Sequence, residues 1–274
     1  MRLVDSHAHL QADAFSGDAD EVLAASRAGG VERLLVPGWD LASSAASRDL
    51  ALRTGVDASA GIHPHAAAEV DEAAWLQIVE IAGDRRVRAV GETGLDYDRG
   101  FSPRDAQLAN LRRHLALGRE LGKPVILHCR SKPGQRDAQD DLLRELAIAG
   151  AGTSGWPVGH GRPPALLHSF SGPVDYAERA IAMGLAVSFS GLVFRRGEEV
   201  SAIVAAAVPA DLVLVETDSP YLSAPGAPRR RNEPQYVGLT ARWLAAQRGT
   251  DADRLGTLLV SNYDRTFGRC EPFS

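Results

Sequence analysis

Residues 4–10 read VDSHAHL, a short apolar run that ends in two histidines, His7 and His9, two positions apart. In a β-strand, residues i and i+2 share a face, so both imidazoles would leave the strand's C-terminal end on the same side. Two ring nitrogens so placed can hold one metal ion. Two of the chain's eight histidines can also fall this close by chance and make ordinary polar contacts. The rest of the chain decides between these readings. Runs rich in Val, Leu and Ile recur as RLVDSHAHL, ERLLVPG, VDASAGIHPH, VRAVGETGLD, KPVILHCR, PALLHSFSG, LAVSFSG and DLVLVETDSP. Between them lie segments with apolar residues three and four apart, such as ADEVLAASRAGG, AAWLQIVEIAGD, DAQLANLRRHLALGRELG and VDYAERAIAMG, several closing on glycine as helices do.

Near-continuously apolar strands joined by helices predict a parallel sheet covered by helices. Eight such units in about 250 residues is the arithmetic of a (β/α)8 TIM barrel, read here as a single domain over residues 1–274. The runner-up, an open doubly wound sheet, is disfavoured because no G-x-G-x-x-G follows the first strand and polar residues stand at nearly all strand ends. Residues 131–163 read as extended loops, because SKPGQRDAQDD and GAGTSGWPVGHGRPP are rich in Gly, Pro and charge.

Composition narrows the function. The chain has 274 residues, 45% hydrophobic and 24% charged, with no membrane span and no export signal, so the cytoplasm is the expected compartment. Two cysteines are too few for a disulfide framework, and Cys129, inside an apolar run, reads as a small buried residue. A net charge of −5 argues against nonspecific coating of nucleic acid but leaves room for a local basic patch. A monomer is the expected state.

A barrel places its chemistry at the C-terminal ends of its strands. His7 and His9 end the first run, His63 and His65 the third, Glu92 the fourth, His128 the fifth, His168 the sixth and Asp218 the eighth. His114, in LRRHLAL, reads as a surface helix residue, and His160 as a histidine of a mobile loop. Six imidazoles and two carboxylates aimed at one point need compensating charge, which divalent cations supply. Imidazole with carboxylate suits Zn, Mn, Fe or Mg, with Mg, Mn or Zn expected here, and the set is too large for one tetrahedral ion. Two ions about 3.5 to 4 Å apart, bridged by a carboxylate and a hydroxide, would use it fully. Singly, Glu92 can also be a turn carboxylate in GETG, and Asp218 a turn residue before Pro220.

The motifs DSHAHL, GIHPH, VGETGLDY, ILHCR, LLHSFSG, ETDSPYL, RRRNEP and SNYDRTFG (261–268), in this order, resemble those of the TatD-like metal-dependent deoxyribonucleases, among the amidohydrolase-type barrels. The resemblance runs nearly end to end. It implies one ion held by His7, His9, Glu92 and Asp218, a second by Glu92, His128 and His168, and Glu92 as the bridge. It further implies hydrolysis of DNA phosphodiesters by exonuclease action.

Asp218 is the expected acceptor of the attacking water's proton. His63 and His65 are expected to contact the substrate phosphate or the leaving oxygen, and Arg130 to pair with a phosphate. Arg229, Arg230 and Arg231 form a basic run where a strand could approach, or a solvated face. Trp39, Tyr97 and Phe170 could stack bases or belong to the core.

The alternatives are a small-molecule amidohydrolase acting on an amide, lactone or phosphoester, and a non-catalytic binding barrel. The first often bridges its ions with a modified lysine, but Lys123 precedes strand five and Lys132 follows it; the second would be marked by missing ligands, and none is missing. Where the family has a shorter run after HCR, the loops of 131–163 could form a lid, a substrate pocket or a partner contact.

Overall fold

A computed structural model describes residues 1–153, 156 and 161–269. His160, Cys270 and much of GAGTSGWPVGHGRPP lie outside the described residues. Eight parallel strands run in the order of the chain: β1 Leu3–Asp5, β2 Val31–Pro37, β3 Asp57–Ala60, β4 Val87–Asp96, β5 Val125–Arg130, β6 Ala165–Leu167, β7 Ala186–Phe189 and β8 Val213–Val215. Each falls inside one of the eight apolar runs, save that β2 begins one residue ahead of its run, at Val31. Among the described residues the helices are α1 Ala19–Ala28, α2 Leu41–Thr54, α3 Glu72–Gly83, α4 Arg104–Leu121, α5 Asp137–Ala149, α6 Val174–Ala182, α7 Val200–Ala207, α8 Val237–Gln247 and α9 Ala252–Phe267. The fold is the (β/α)8 barrel, with a second helix after β8. Among the described residues, no helix is long and apolar enough to cross a membrane.

The ring closes where the sequence drew attention first. Ala8 bridges Ser219 in parallel, the Ser6 N–H donates to the Val215 carbonyl at 3.1 Å, the Asp218 N–H to that of His7 at 2.9 Å, and the His9 N–H to that of Ser219 at 2.8 Å. Beneath this seam, the buried Asp5 carboxylate accepts from the Thr217 N–H and hydroxyl at 3.0 and 2.6 Å. Burial pushes the Asp5 carboxyl up to about 8.

Two glycines set how closely the central strands approach. A Cβ on Gly94 would stand 1.9 Å from the His128 carbonyl oxygen, and one on Gly61 would stand 2.5 Å from the Gly91 Cα. Glycine alone permits these contacts, which explains why the third and fourth runs carry it beside their functional residues.

Two expectations are corrected here. Residues 137–149 are helix, because Asp137 and Asp140 stand in the first turn, where the helix dipole favours acid, and Ala138, Leu142, Leu143 and Leu146 form a buried stripe. His114 is fully buried, not on the surface. Its face of α4 also carries Leu111 and Leu117; its Nε2 accepts from the Ile62 N–H at 3.0 Å and its Nδ1 donates to the Asn110 carbonyl at 2.7 Å.

Candidate metal centre

Strand alternation past β1 puts the Nε2 atoms of His7 and His9 3.2 Å apart, as the i, i+2 spacing requires. The centre forms around Glu92, which lies within β4 rather than at its end and is buried. Its two oxygens face different neighbours. Oε2 lies 3.2 Å from His7 Nε2. Asp218 Oδ1 completes that side, 3.8 Å from His7 Nε2 and 3.3 Å from His9 Nε2. Oε1 receives three imidazoles: His168 Nε2 at 2.9 Å, His128 Nδ1 at 3.3 Å and His63 Nε2 at 3.3 Å.

Behind these side chains stand two further carboxylates that the sequence reading did not single out. Asp96 Oδ2 lies 3.2 Å from His128 Nε2 and 2.8 Å from His65 Nε2, while its Oδ1 accepts the N–H groups of Asp98 and Arg99 at 3.1 and 2.9 Å. Glu216 Oε1 lies 3.2 Å from His168 Nδ1 and accepts the Ser169 hydroxyl at 2.7 Å; its Oε2 accepts the Ser188 hydroxyl. One signal was present in the sequence: Asp96 follows Glu92 by four positions within β4, an even offset that keeps a face, whereas Glu216 stands just past the end of β8.

His63 differs from its neighbours. Its Nδ1 accepts the His65 N–H at 3.1 Å, which leaves the ring proton on Nε2, pointing at Glu92. It is a donor that steers the carboxylate, and burial holds it neutral, with its pKa down to about 4. His65 remains on the cleft wall with Nε2 tied to Asp96.

The charges follow from these contacts. Burial opposes charge on His168, but Glu92 and Glu216 outweigh it and raise its pKa well above the ordinary range. Burial likewise opposes charge on His128, and its hydrogen bonds to Asp96 and Glu92 raise it nonetheless. Glu92 is raised by burial and lowered further by His168, His63 and His7, so it stays ionised. Glu216 behaves in the same way and settles at about 2 through His168.

The donor set fits divalent ions. The ligand atoms of His7, Glu92 and His168, of His7, His9 and Asp218, and of His63, Glu92 and His128 lie within 4.8 Å of one another in each group. His128 and His168 each show one nitrogen to Glu92 and the other to a second carboxylate, the arrangement that orients metal-bound imidazole.

A cleft of about 580 Å³ opens over this centre. Among the described residues, three other than glycine adopt left-handed backbone, Ser169, Asp218 and Leu222, and all three line it. Arg130 and Trp39 also line it, as expected. Arg229 and Arg230 are exposed but do not line it, and Arg231 is committed elsewhere: it holds Asp18 at 2.9 and 2.7 Å and Glu233 at 2.8 Å, over the Phe15 ring. Tyr97 donates to Asp141 at 2.8 Å, and Phe170 is buried against Tyr176, so neither faces the cleft. Cys129 is only partly buried and reaches the cleft wall, where burial pushes its thiol up to about 12. Lys123 donates to the Asp84 carbonyl at 2.9 Å, below the barrel, and bridges nothing in the centre.

A parallel barrel whose histidines and carboxylates gather at its C-terminal rim, in groups that could hold divalent ions, defines the class of barrel to which this chain belongs. The family model described as TatD related DNase matches residues 4–268. A Klebsiella pneumoniae protein named 3′-5′ ssDNA/RNA exonuclease TatD is 34% identical over 273 residues, covering 97% of this chain and 98% of its own. The Bacillus subtilis uncharacterized metal-dependent hydrolase YabD is 30% identical over 266 residues, covering 97% and 98%. The crystal structure of YJJV, a TATD homolog from Escherichia coli, superposes with a TM-score of 0.83 at 26% identity over 98% of each chain. The chain belongs to the TatD-related DNase family.

Proposed function

We propose that this chain is a metal-dependent exonuclease that hydrolyses phosphodiester bonds at the 3′ end of single-stranded DNA or RNA. The observation that carries the reading is the carboxylate of Glu92, with one oxygen turned to each of two groups of ligand atoms. His7, His9 and Asp218 with Glu92 Oε2 would hold one ion, and His128 and His168 with Glu92 Oε1 the other. When bound, divalent ions lower the pKa of a water and neutralise charge on the phosphoryl oxygens. The names of the relatives support the substrate class and polarity.

The side chains do the rest. Asp218 turns Oδ1 to His7 and His9, leaving Oδ2 to accept the proton of the attacking water. His63, as a neutral donor, fixes the rotation of Glu92. Asp96 and Glu216 keep His128 and His168 from turning. Arg130 reaches the cleft as a phosphate partner whose planar guanidinium can pair bidentately.

The test is a nuclease assay on chelator-stripped protein with end-labelled single- and double-stranded DNA and RNA, with Mg, Mn and Zn restored separately. The expected result is stepwise shortening from the 3′ end that requires added metal. A folded, metal-loaded protein that cleaves none of these substrates contradicts the reading.

A further inference from the structure

Two large aromatic side chains on the cleft have no use in the fold. Phe101 is 68% exposed and Tyr221 59% exposed, although both line the cavity above the metal centre. Phe101 follows β4 and meets the His65 ring edge-on at 4.7 Å; Tyr221 follows β8 and stands 6.0 Å from His9. In a ring ordered β1 to β8, the fourth and eighth strands are diametrically opposed, so these rings rise from opposite lips. Trp39, after β2, adds a third ring 5.1 Å from His9. Arg99 and Arg130, which make no ion pair among the described residues, stand on the β4–β5 side of the same cavity.

Exposed aromatic faces and guanidiniums free of ion pairs on one cleft are what a single nucleic-acid strand requires: bases stack on the rings while phosphates meet the cations. A strand still wound in a duplex keeps its bases turned inward, away from both lips. Resting on the nuclease reading above, we propose that Phe101 and Tyr221 are base platforms, one on each side of the scissile phosphate. They select an unpaired strand end. Neither ring supports the core, so either can be truncated without collapse.

The test measures KM and kcat separately on single-stranded oligonucleotides that carry normal residues, or base-free tetrahydrofuran residues, on both sides of the cleaved bond. Phe101→Ala and Tyr221→Ala should each raise KM about tenfold on the normal strand, with kcat changed less than twofold. Phe101→Tyr and Tyr221→Phe should restore it. Removing both bases should cost the wild type about a hundredfold and each single Ala variant about tenfold more than its own loss on the normal strand, since each ring and its base act as one contact. Metal content and circular dichroism confirm that the variants are folded and loaded. Unaltered KM in both Ala variants, or equal losses on strands with and without bases, overturns the platforms while leaving the nuclease standing. If the wild type cleaves neither strand, the nuclease reading fails and the platforms fail with it.

Discussion

The two sides of the Glu92 carboxylate are built differently. On the Oε1 side, His128 and His168 are each gripped by a second buried carboxylate, Asp96 and Glu216, and His63 donates into the same oxygen. On the Oε2 side, the Nδ1 atoms of His7 and His9 are buried without a partner among the described residues, and Asp218 is more open to solvent. The ring of His7 also stacks on that of His168 at 4.0 Å, and burial together with the charge of His168 keeps His7 neutral. One side is therefore locked before an ion arrives. The other depends on the seam between the ends of β1 and β8 for its geometry. The difference teaches that, in the two-ion reading proposed above, a shared bridge would not make two equal sites: the Oε1 side should bind its ion tightly and the Oε2 side exchange it.

The largest effect is expected at the bridge itself. Glu92→Gln removes the charge common to both sides, so turnover with restored manganese should fall by about a thousandfold or more, the loss of several kcal/mol of charge stabilisation. Metal analysis should find both sites depleted. Next come the supports that make the sides unequal. Asp96→Asn and Glu216→Gln should each weaken binding of the tighter ion by about 10- to 100-fold in chelator competition, leaving the weaker one nearly unaltered. Equal weakening of both ions would erase the distinction.

The third test acts through α4. His114 accepts the Ile62 N–H, and Asn110 donates to the Ile62 carbonyl at 2.7 Å, so the helix holds the residue next to His63 by both backbone groups. Burial takes the pKa of His114 from 6.5 down to about 3. The neutral form is the one that fits, so the stability it contributes is fully present above pH 6.5 and is lost as pH falls toward 3. In His114→Gln, acid titration of unfolding should lose a slope of up to about 1.4 kcal/mol per pH unit in that window. An unaltered slope would mean that His114 does not titrate on unfolding.

The smallest effect belongs to the loop behind Asp218. Asn232 donates to the Thr217 and Tyr221 carbonyls at 3.0 and 2.8 Å, and Arg231 ties the same loop to Asp18. Arg231→Ala should lower stability by about 1 kcal/mol or less, because its pairs are partly exposed. KM on nucleic acid should stay as it was, whereas a raised KM would return the arginine run to the substrate path.

The eight strands were legible because each carries its own apolar run, and the gathering of the histidines with Glu92 and Asp218 because strand ends converge in a barrel whatever the loops do. Pairing was less legible. Asp96 and Glu216 lie inside the quoted motifs GETGLDY and ETDSPYL, yet nothing local says that a carboxylate behind a strand end will find His128 or His168 from a neighbouring strand. His114 was misread because a histidine directly after two arginines looks solvated, although its three-residue spacing to Leu111 and to Leu117 places it on the buried face. Arg231 shows the converse: a basic run reads as a binding surface until tertiary contacts supply Asp18 and Glu233. The α5 helix was hidden by a charged first turn that the helix dipole in fact favours.

The most direct measurement of the central claim is anomalous diffraction at the manganese edge, from crystals of chelator-stripped protein given first one equivalent of Mn²⁺ and then excess. The account predicts a single peak beside Glu92 Oε1, between His128 and His168, followed by a second beside His7, His9 and Asp218. A first peak on the His7 and His9 side, or no density on either side of Glu92, would contradict it.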